Sequence, residues 1–111
     1  MQPLAYEEFE KVQLLVGTVV RAEPFPEARK PSIKMWIDLG ELGVKQSSAQ
    51  VTHHYRPESL VGTQVVCVVN LGVRSIAGFK SEVLTTGFAD DTGAVVLTRP
   101  DQPVPNGSRL F

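Results

Sequence analysis

Short apolar segments, separated by turns rich in glycine and proline about every ten residues, are the feature that most constrains this fold. In segment 33–39 apolar side chains occupy every second position, at Ile33, Met35, Ile37 and Leu39. This period of two is typical of a strand with one buried face. No helical pattern of about 10 to 15 residues separates the segments, which excludes alternating strand–helix–strand architecture. The sequence therefore predicts an all-β fold, a small closed barrel or a sandwich, with short helical segments.

The chain length suits a single domain covering residues 1–111. A short amphipathic helix is expected over 4–12, after Pro3, and the strands should occupy 14–98. The prolines after residue 98 predict a mostly extended tail over 99–111. Because a domain this small leaves about a third of its unfolded-state surface exposed, a second subunit that covers part of that surface would be a natural supplement.

Two segments have specific strand predictions. Residues 64–70 are continuously apolar in their middle, which is typical of a central strand buried on both sides. A further strand is expected over 80–88, followed by a hairpin loop at 89–93 and a returning strand at 94–98.

The charges are unevenly distributed along the chain. The formal net charge is −1, which argues against a domain that holds nucleic acid by large positive charge alone. Residues 21–80 nevertheless contain eight basic and five acidic residues, so the centre is mildly basic and the ends are acidic. A basic centre with exposed Trp36 and Phe79 suits RNA, by phosphate contacts and base stacking. Exposed apolar residues beside mixed charges equally suit an extended peptide, and a plain solvated surface accounts for the charges alone.

Motifs for catalysis or metal binding are missing from the sequence. It has no nucleophile elbow, phosphate-binding loop, dinucleotide fingerprint or spaced set of His and Cys. The adjacent side chains of His53 and His54 diverge, so they are poorly placed to share one metal. Neither Ser47 nor Ser48 has a base at a spacing that indicates a catalytic triad. We therefore expect no enzyme activity, no metal and no cofactor.

A cytoplasmic location is expected from two features. The single cysteine, Cys67, lies in an apolar run and is interpreted as a buried small hydrophobic residue, which fits a reducing compartment. The first residues lack the basic and apolar regions of a signal peptide, and no apolar stretch approaches the ~18 residues of a membrane span. We expect no membrane insertion.

Five blocks of sequence are distinctive: Val16–Glu23, Phe25–Pro31, Lys45–Gln50, Ile76–Leu84 and Pro100–Gly107. Together they resemble the CsaA family over nearly the whole chain. That family comprises bacterial export-associated chaperones and is similar to the tRNA-binding domain at the C-terminus of some methionyl-tRNA synthetases. The resemblance implies an OB-fold β-barrel, a cytoplasmic homodimer and no catalytic activity.

The resemblance also implies a ligand and a surface for it. The leading hypothesis is a chaperone that binds unfolded or precursor polypeptides and cooperates with the SecA translocation motor; the alternative is a tRNA-binding protein. Segment 17–23 and the loop around Arg29 and Lys30 would flank the ligand. By the family motifs, the ligand-facing residues are Lys45, Gln46, Ser47, Ser48, Ala49, Gln50, Asn70, Arg74, Phe79, Lys80, Ser81 and Glu82.

Overall fold

Nine strands make up most of the ordered secondary structure in the computed structural model, which describes residues 1–111. In chain order the elements are helix α1 (Tyr6–Glu10), strands β1 (Leu14–Pro24) and β2 (Ile33–Asp38), a 3₁₀ turn (Gly40–Leu42), strand β3 (Val44–Ala49), helix α2 (Pro57–Leu60), and strands β4 (Gln64–Val68), β5 (Arg74–Ile76), β6 (Phe79–Ser81), β7 (Leu84–Thr85), β8 (Gly87–Ala89) and β9 (Val95–Leu97). The all-β prediction is confirmed. No helix is both long and apolar enough to cross a membrane.

Five antiparallel strands form a nearly closed barrel in the order β3-β2-β1-β4-β7. Two hairpins, β5–β6 and β8–β9, extend from it. Strand β1 serves two neighbours, because Leu14 to Thr18 pair with β4 and Thr18 to Pro24 pair with β2; its register with β2 shifts between Val19 and Arg21. At Gly17 a Cβ atom would lie 2.5 Å from the Ile37 side chain. Only glycine therefore allows β1 and β2 to cross so closely.

The core fills the barrel with aliphatic side chains. Ile33, Met35, Ile37 and Leu39 are all buried, which confirms the strand predicted from their alternation. Cys67 is also buried, as expected, and burial raises the pKa of its thiol to about 11 despite a hydrogen bond to Thr85.

The N-terminal helix is shorter than predicted. The expectation was residues 4–12, but α1 covers only Tyr6–Glu10 because Ala5 is already extended and supplies no side-chain cap. After the helix, Asn70 holds the chain at two points. Its amide nitrogen donates to the Lys11 carbonyl (2.7 Å), and its amide oxygen accepts from the backbone N–H of Gln13 (3.0 Å).

The single strand predicted over 80–88 is wrong, because this stretch divides among β6, β7 and β8. Each piece has a different partner: β6 pairs with β5, β7 with β4, and β8 with β9. One straight strand could not reach all three partners. The strand predicted over 64–70 ends at Val68, because the Val69 amide bonds to Gln13 and Asn70 turns its side chain to the end of α1.

The tail over 99–111 is not simply extended, because its end pairs with the start of β1. The Val16 amide donates to the Ser108 carbonyl (2.9 Å), and the Gly107 amide donates to the Val16 carbonyl (2.7 Å). The side chain of Asn106 accepts a hydrogen bond from the Thr18 hydroxyl at 2.7 Å. The tail therefore covers one end of the barrel.

Candidate binding groove and its aromatic flank

An open groove of about 1090 Å³ lies on one side of the barrel. Three parts of the chain form its walls: the loop that joins β1 to β2, the end of β3 with the residues after it, and the β5–β6 hairpin. Its volume is slightly above the ~300–1,000 Å³ found for ligand pockets, so it is large enough for a segment of chain.

The groove combines an apolar floor with a cationic rim. Three basic residues line the groove, Arg29, Lys30 and Arg74, against one acidic residue, Glu27. Apolar side chains supply much of the remaining lining, among them Ala49, Val51, Ile76, Leu84 and Val95. Such a surface offers apolar contact along its base and attracts negative charge at its edge.

Four of the twelve residues predicted to face the ligand line this groove: Ser48, Ala49, Gln50 and Arg74. Arg29 and Lys30, which were expected to flank the ligand, line it as well. Contact between these residues and a ligand stays a prediction.

A second group of the predicted residues lies beside an aromatic cluster. The Phe79 ring is 5.6 Å from the ring of Phe25 and 5.7 Å from that of Trp36, between centroids. The Arg21 guanidinium lies 4.4 Å from the Trp36 ring centre, and Lys34 lies 5.5 Å from that of Phe79. The expectation of exposed Trp36 and Phe79 is therefore corrected, because both are partly buried by each other and by these cations. A base could stack on Trp36 from that side only by displacing Arg21.

Gln46 connects the aromatic cluster to the hairpin. With its amide oxygen turned to accept from the Trp36 indole N–H (3.1 Å), its amide nitrogen donates to the Lys80 carbonyl (2.9 Å). The Lys80 side chain is exposed and that of Lys45 is partly exposed. Neither amine takes part in a salt bridge, so both are available to a ligand.

Three predicted site residues have hydrogen bonds within the barrel. The hydroxyl of buried Ser47 shares a hydrogen bond with the Thr85 hydroxyl at 2.8 Å. Ser81 accepts from the backbone N–H of Ser48 at 3.0 Å, and Glu82 accepts from that of Gln46 at 2.9 Å. These contacts hold the barrel closed. Asn70 is not among the groove-lining residues, because its amide holds the end of α1.

Sequence reasoning missed the contribution of the hairpin backbone. Ser75 and Ala77 line the groove although neither was a candidate site residue. The signal was Gly78 between two short apolar segments, which marks a tight turn. Ala77 itself has a φ of 46°, a conformation that residues other than glycine seldom adopt. An alanine at this position therefore does not predict the turn.

The two histidines lie away from the groove. His54 Nε2 is 2.7 Å from Asp90 Oδ2, and the His53 ring packs edge-on against that of His54. Hydrogen bonds from Thr92 and then from His54 hold the pKa of Asp90 far below its usual range. No cluster of three or more His, Cys, Asp or Glu residues is placed to hold a metal ion.

The fold and much of the sequence are shared with known proteins. Chaperone CsaA of Bacillus anthracis str. Ames is 49% identical, with a TM-score of 0.92, over 99% of this chain and 100% of that one. The CsaA chaperone protein of Picrophilus torridus is 35% identical, with a TM-score of 0.90, over 98% of this chain and 100% of that one. The MetRS related protein of Pyrococcus horikoshii is 29% identical, with a TM-score of 0.87, over the whole of both chains. These likenesses confirm the predicted OB-fold barrel.

Longer proteins contain a similar region. Methionine–tRNA ligase of Chlorobium chlorochromatii is 36% identical over 107 residues, which are 96% of this chain and 15% of that protein. The corresponding ligase of Methanocaldococcus jannaschii is 34% identical over 110 residues, which are 99% of this chain and 17% of that protein. The chain thus spans about a sixth of the length of these relatives. Residues 14–109 match the model of a family described as "Putative tRNA binding domain".

Proposed function

This chain belongs to the putative tRNA binding domain family, as its resemblance to CsaA indicated, and we propose that it is a noncatalytic chaperone that binds unfolded or precursor polypeptides. The observation that carries the proposal is the apolar floor of the groove, to which Val51, Ile76 and Leu84 contribute. Apolar side chains of an unfolded segment would lose water contact there without any covalent step.

The aromatic cluster around Trp36 favours a polypeptide ligand over stacked bases. Arg21 already lies over the Trp36 ring, so a base that stacks on that side would first have to displace it. The near-neutral chain is also poor in the positive charge that supplies most nonspecific nucleic-acid affinity.

Three further parts of the proposal come from the likeness to CsaA chaperones. The protein acts in the cytoplasm, forms a homodimer, and delivers its polypeptides to the SecA motor. The exposed side chains of Leu4, Tyr6 and Val12 near the N-terminus support the dimer, because a second copy would remove them from water.

Binding of tRNA is the second candidate function, and the cationic rim favours it. The groove lining contains Arg29, Lys30 and Arg74 but only one acidic residue, and Lys80 is exposed on the hairpin that borders it. Phosphates of a bound RNA segment could contact these side chains and fix it by charge.

A titration separates the two functions. Fluorescence anisotropy of a labelled, permanently unfolded polypeptide and of bulk tRNA is measured at about 0.15 M salt. We expect tighter binding of the polypeptide. Tighter binding of tRNA, with a steep salt dependence that Arg74→Ala and Lys80→Ala remove, would replace the chaperone function by the RNA function.

A matched pair of variants tests the groove itself. Leu84 lines the groove and is 51% exposed, whereas Val44 is 52% exposed and lies outside it. Leu84→Asp should weaken polypeptide binding, because it puts a charge on the apolar floor, and Val44→Asp should leave it unchanged. Equal effects of the two substitutions would place the polypeptide elsewhere.

A further inference from the structure

The β5–β6 hairpin presents one edge of its backbone to the groove. Arg74, Ser75, Ile76 and Ala77 are consecutive, and all four line the groove. Side chains of a strand point alternately to opposite faces, so a single face would contribute only every second residue. The edge of β5, rather than one of its faces, therefore borders the groove.

Hydrogen bonding within the hairpin leaves the Ser75 backbone free. Ala77 (φ 46°) and Gly78 (φ 83°) form a two-residue turn between the paired residues Ile76 and Phe79. In such a hairpin the pair that closes the turn exchanges hydrogen bonds, and the next pair, which contains Ser75, does not. The N–H and C=O of Ser75 thus point away from β6, and no hydrogen bond outside the ladder involves either group.

The opposite strand agrees with this register. Lys80 is paired with Ser75, and its carbonyl points toward β3, where it accepts from the Gln46 side chain at 2.9 Å. Two residues on, the Glu82 amide donates to the Gln46 carbonyl at 2.8 Å. Because the backbone groups of Lys80 face β3, those of its non-hydrogen-bonded partner Ser75 face the other way, into the groove.

We propose that the edge of β5 binds polypeptide by adding it as a further strand, with Ser75 donating and accepting one backbone hydrogen bond each. This inference rests on the proposed polypeptide-binding function and states how that site recognises its ligand. Strand addition satisfies exposed edge groups with main-chain bonds, and alternate side chains of the added segment supply the specificity.

The groove defines the chemistry of the added segment. In the added segment, every second side chain would lie on the apolar floor of the groove near Val51 and Leu84, so every second residue of the segment is apolar. The rim holds three cations against Glu27, so an acidic residue between the apolar positions is complementary in charge. Because the main-chain bonds are common to every residue, many different unfolded segments satisfy this pattern.

Proline at position 75 provides the first test. Ser75→Pro removes the backbone N–H that has no partner, so the native protein loses no hydrogen bond. Proline is also tolerated at strand edges. The probe is a fluorescein-labelled nine-residue peptide in which serine and leucine alternate, beginning with serine, and glutamate replaces the central serine. We expect Ser75→Pro to weaken its binding at least about tenfold. The control Ser75→Ala keeps the N–H and should bind within about twofold of the unsubstituted protein.

N-methylated peptides provide a second test that needs no protein variant. Two versions of the probe carry N-methyl groups on alternate residues, offset by one position. Because the leucines set the register on the apolar floor, only one of the two sets of amides faces Ser75. We expect one version to bind like the probe and the other to lose binding at least about tenfold.

The outcomes separate the mode of binding from the function. If Ser75→Pro binds the probe as tightly as the unsubstituted protein, or if both methylated peptides bind alike, strand addition is overturned and the chaperone function stands. If the unsubstituted protein binds tRNA but neither the probe nor an unfolded polypeptide, both are overturned. Dissociation of a dimer by Ser75→Pro, seen by sedimentation, would assign the edge to a second copy of the chain and overturn the inference.

Discussion

Gln46 and Glu82 hold each other in a reciprocal pair across the closing seam of the barrel. The backbone N–H of Gln46 donates to the Glu82 carboxylate at 2.9 Å, and the backbone N–H of Glu82 donates to the backbone carbonyl of Gln46 at 2.8 Å. In one of these two hydrogen bonds, a side-chain carboxylate thus takes the place of a backbone carbonyl as the acceptor. Ser81 does the same one step along, where its hydroxyl accepts from the Ser48 amide. The seam is therefore closed without a continuous ladder.

Loss of the Glu82 carboxylate should destabilise the barrel. Glu82→Ala leaves the partly buried backbone N–H of Gln46 without its acceptor. We therefore expect a decrease of about 1–3 kcal/mol in the free energy of unfolding. Glu82→Gln keeps an oxygen acceptor and should lose clearly less. Urea unfolding followed by circular dichroism measures both. Equal stability of the alanine variant and the unsubstituted protein would mean that water replaces the carboxylate at no cost.

Gly40 should be far more sensitive to substitution than another glycine with a similar φ. A Cβ atom at Gly40 (φ 73°) would lie 2.4 Å from the Asn106 carbonyl oxygen, whereas one at Gly93 (φ 88°) would meet nothing within 4 Å. Gly93→Ala should cost only the backbone strain of about 1–2 kcal/mol. Gly40→Ala should cost at least about 1 kcal/mol more, because the tail must move. Thermal unfolding of the two variants compares them, and equal losses would contradict the close approach.

The cationic rim should determine the salt dependence of any RNA binding. Each phosphate contact contributes nearly one unit to the slope of log K against log salt concentration. Removing Arg74 or Lys30 by alanine substitution should therefore lower the slope for bulk tRNA by about one. Lys11, which pairs with Glu8 on α1, serves as the control, and Lys11→Ala should leave the slope unchanged. The same slope in all three variants would place RNA away from the groove.

Asp90 should make the protein sensitive to acid. Its pKa in the folded protein is lowered by hydrogen bonds from Thr92 and His54, whereas in the unfolded chain it is about 3.9. The stabilisation is therefore fully present above pH 4 and is lost as the pH falls below that value toward the folded pKa. Melting temperatures at pH 6, 4 and 2.5 should fall more steeply for the unsubstituted protein than for Asp90→Asn. Parallel curves would show that the carboxylate contributes nothing to stability.

The sequence predicted those parts of the fold that depend on local pattern. Strict alternation from Ile33 to Leu39 was enough for β2, since burial on one face of a sheet requires that period. The division of 80–88 into three strands was not predictable in this way. Those residues serve three different partners, and the choice of partner depends on where the rest of the chain lies.

The family motifs predict a ligand-facing surface, and four of its twelve residues line the groove. Ser48 and Arg74 line the groove, as the family motifs suggested. Motifs alone do not separate a residue that faces a ligand from one that closes the barrel. Ser81 and Glu82 show why, since the hydrogen bonds that occupy their oxygens come from β3 amides more than thirty residues away in sequence.

The pairing of the tail with β1 has a consequence for how the protein folds. Thr18 and Asn106 are 88 residues apart in sequence, yet their side chains are joined by a hydrogen bond. A contact over so large a separation requires closure of nearly the whole chain, and folding slows as such contacts come to dominate. We therefore expect the meander of β1, β2 and β3 to form first and the tail to dock last. Until it docks, the Val16 amide and carbonyl at the start of β1 remain open to water and to other chains.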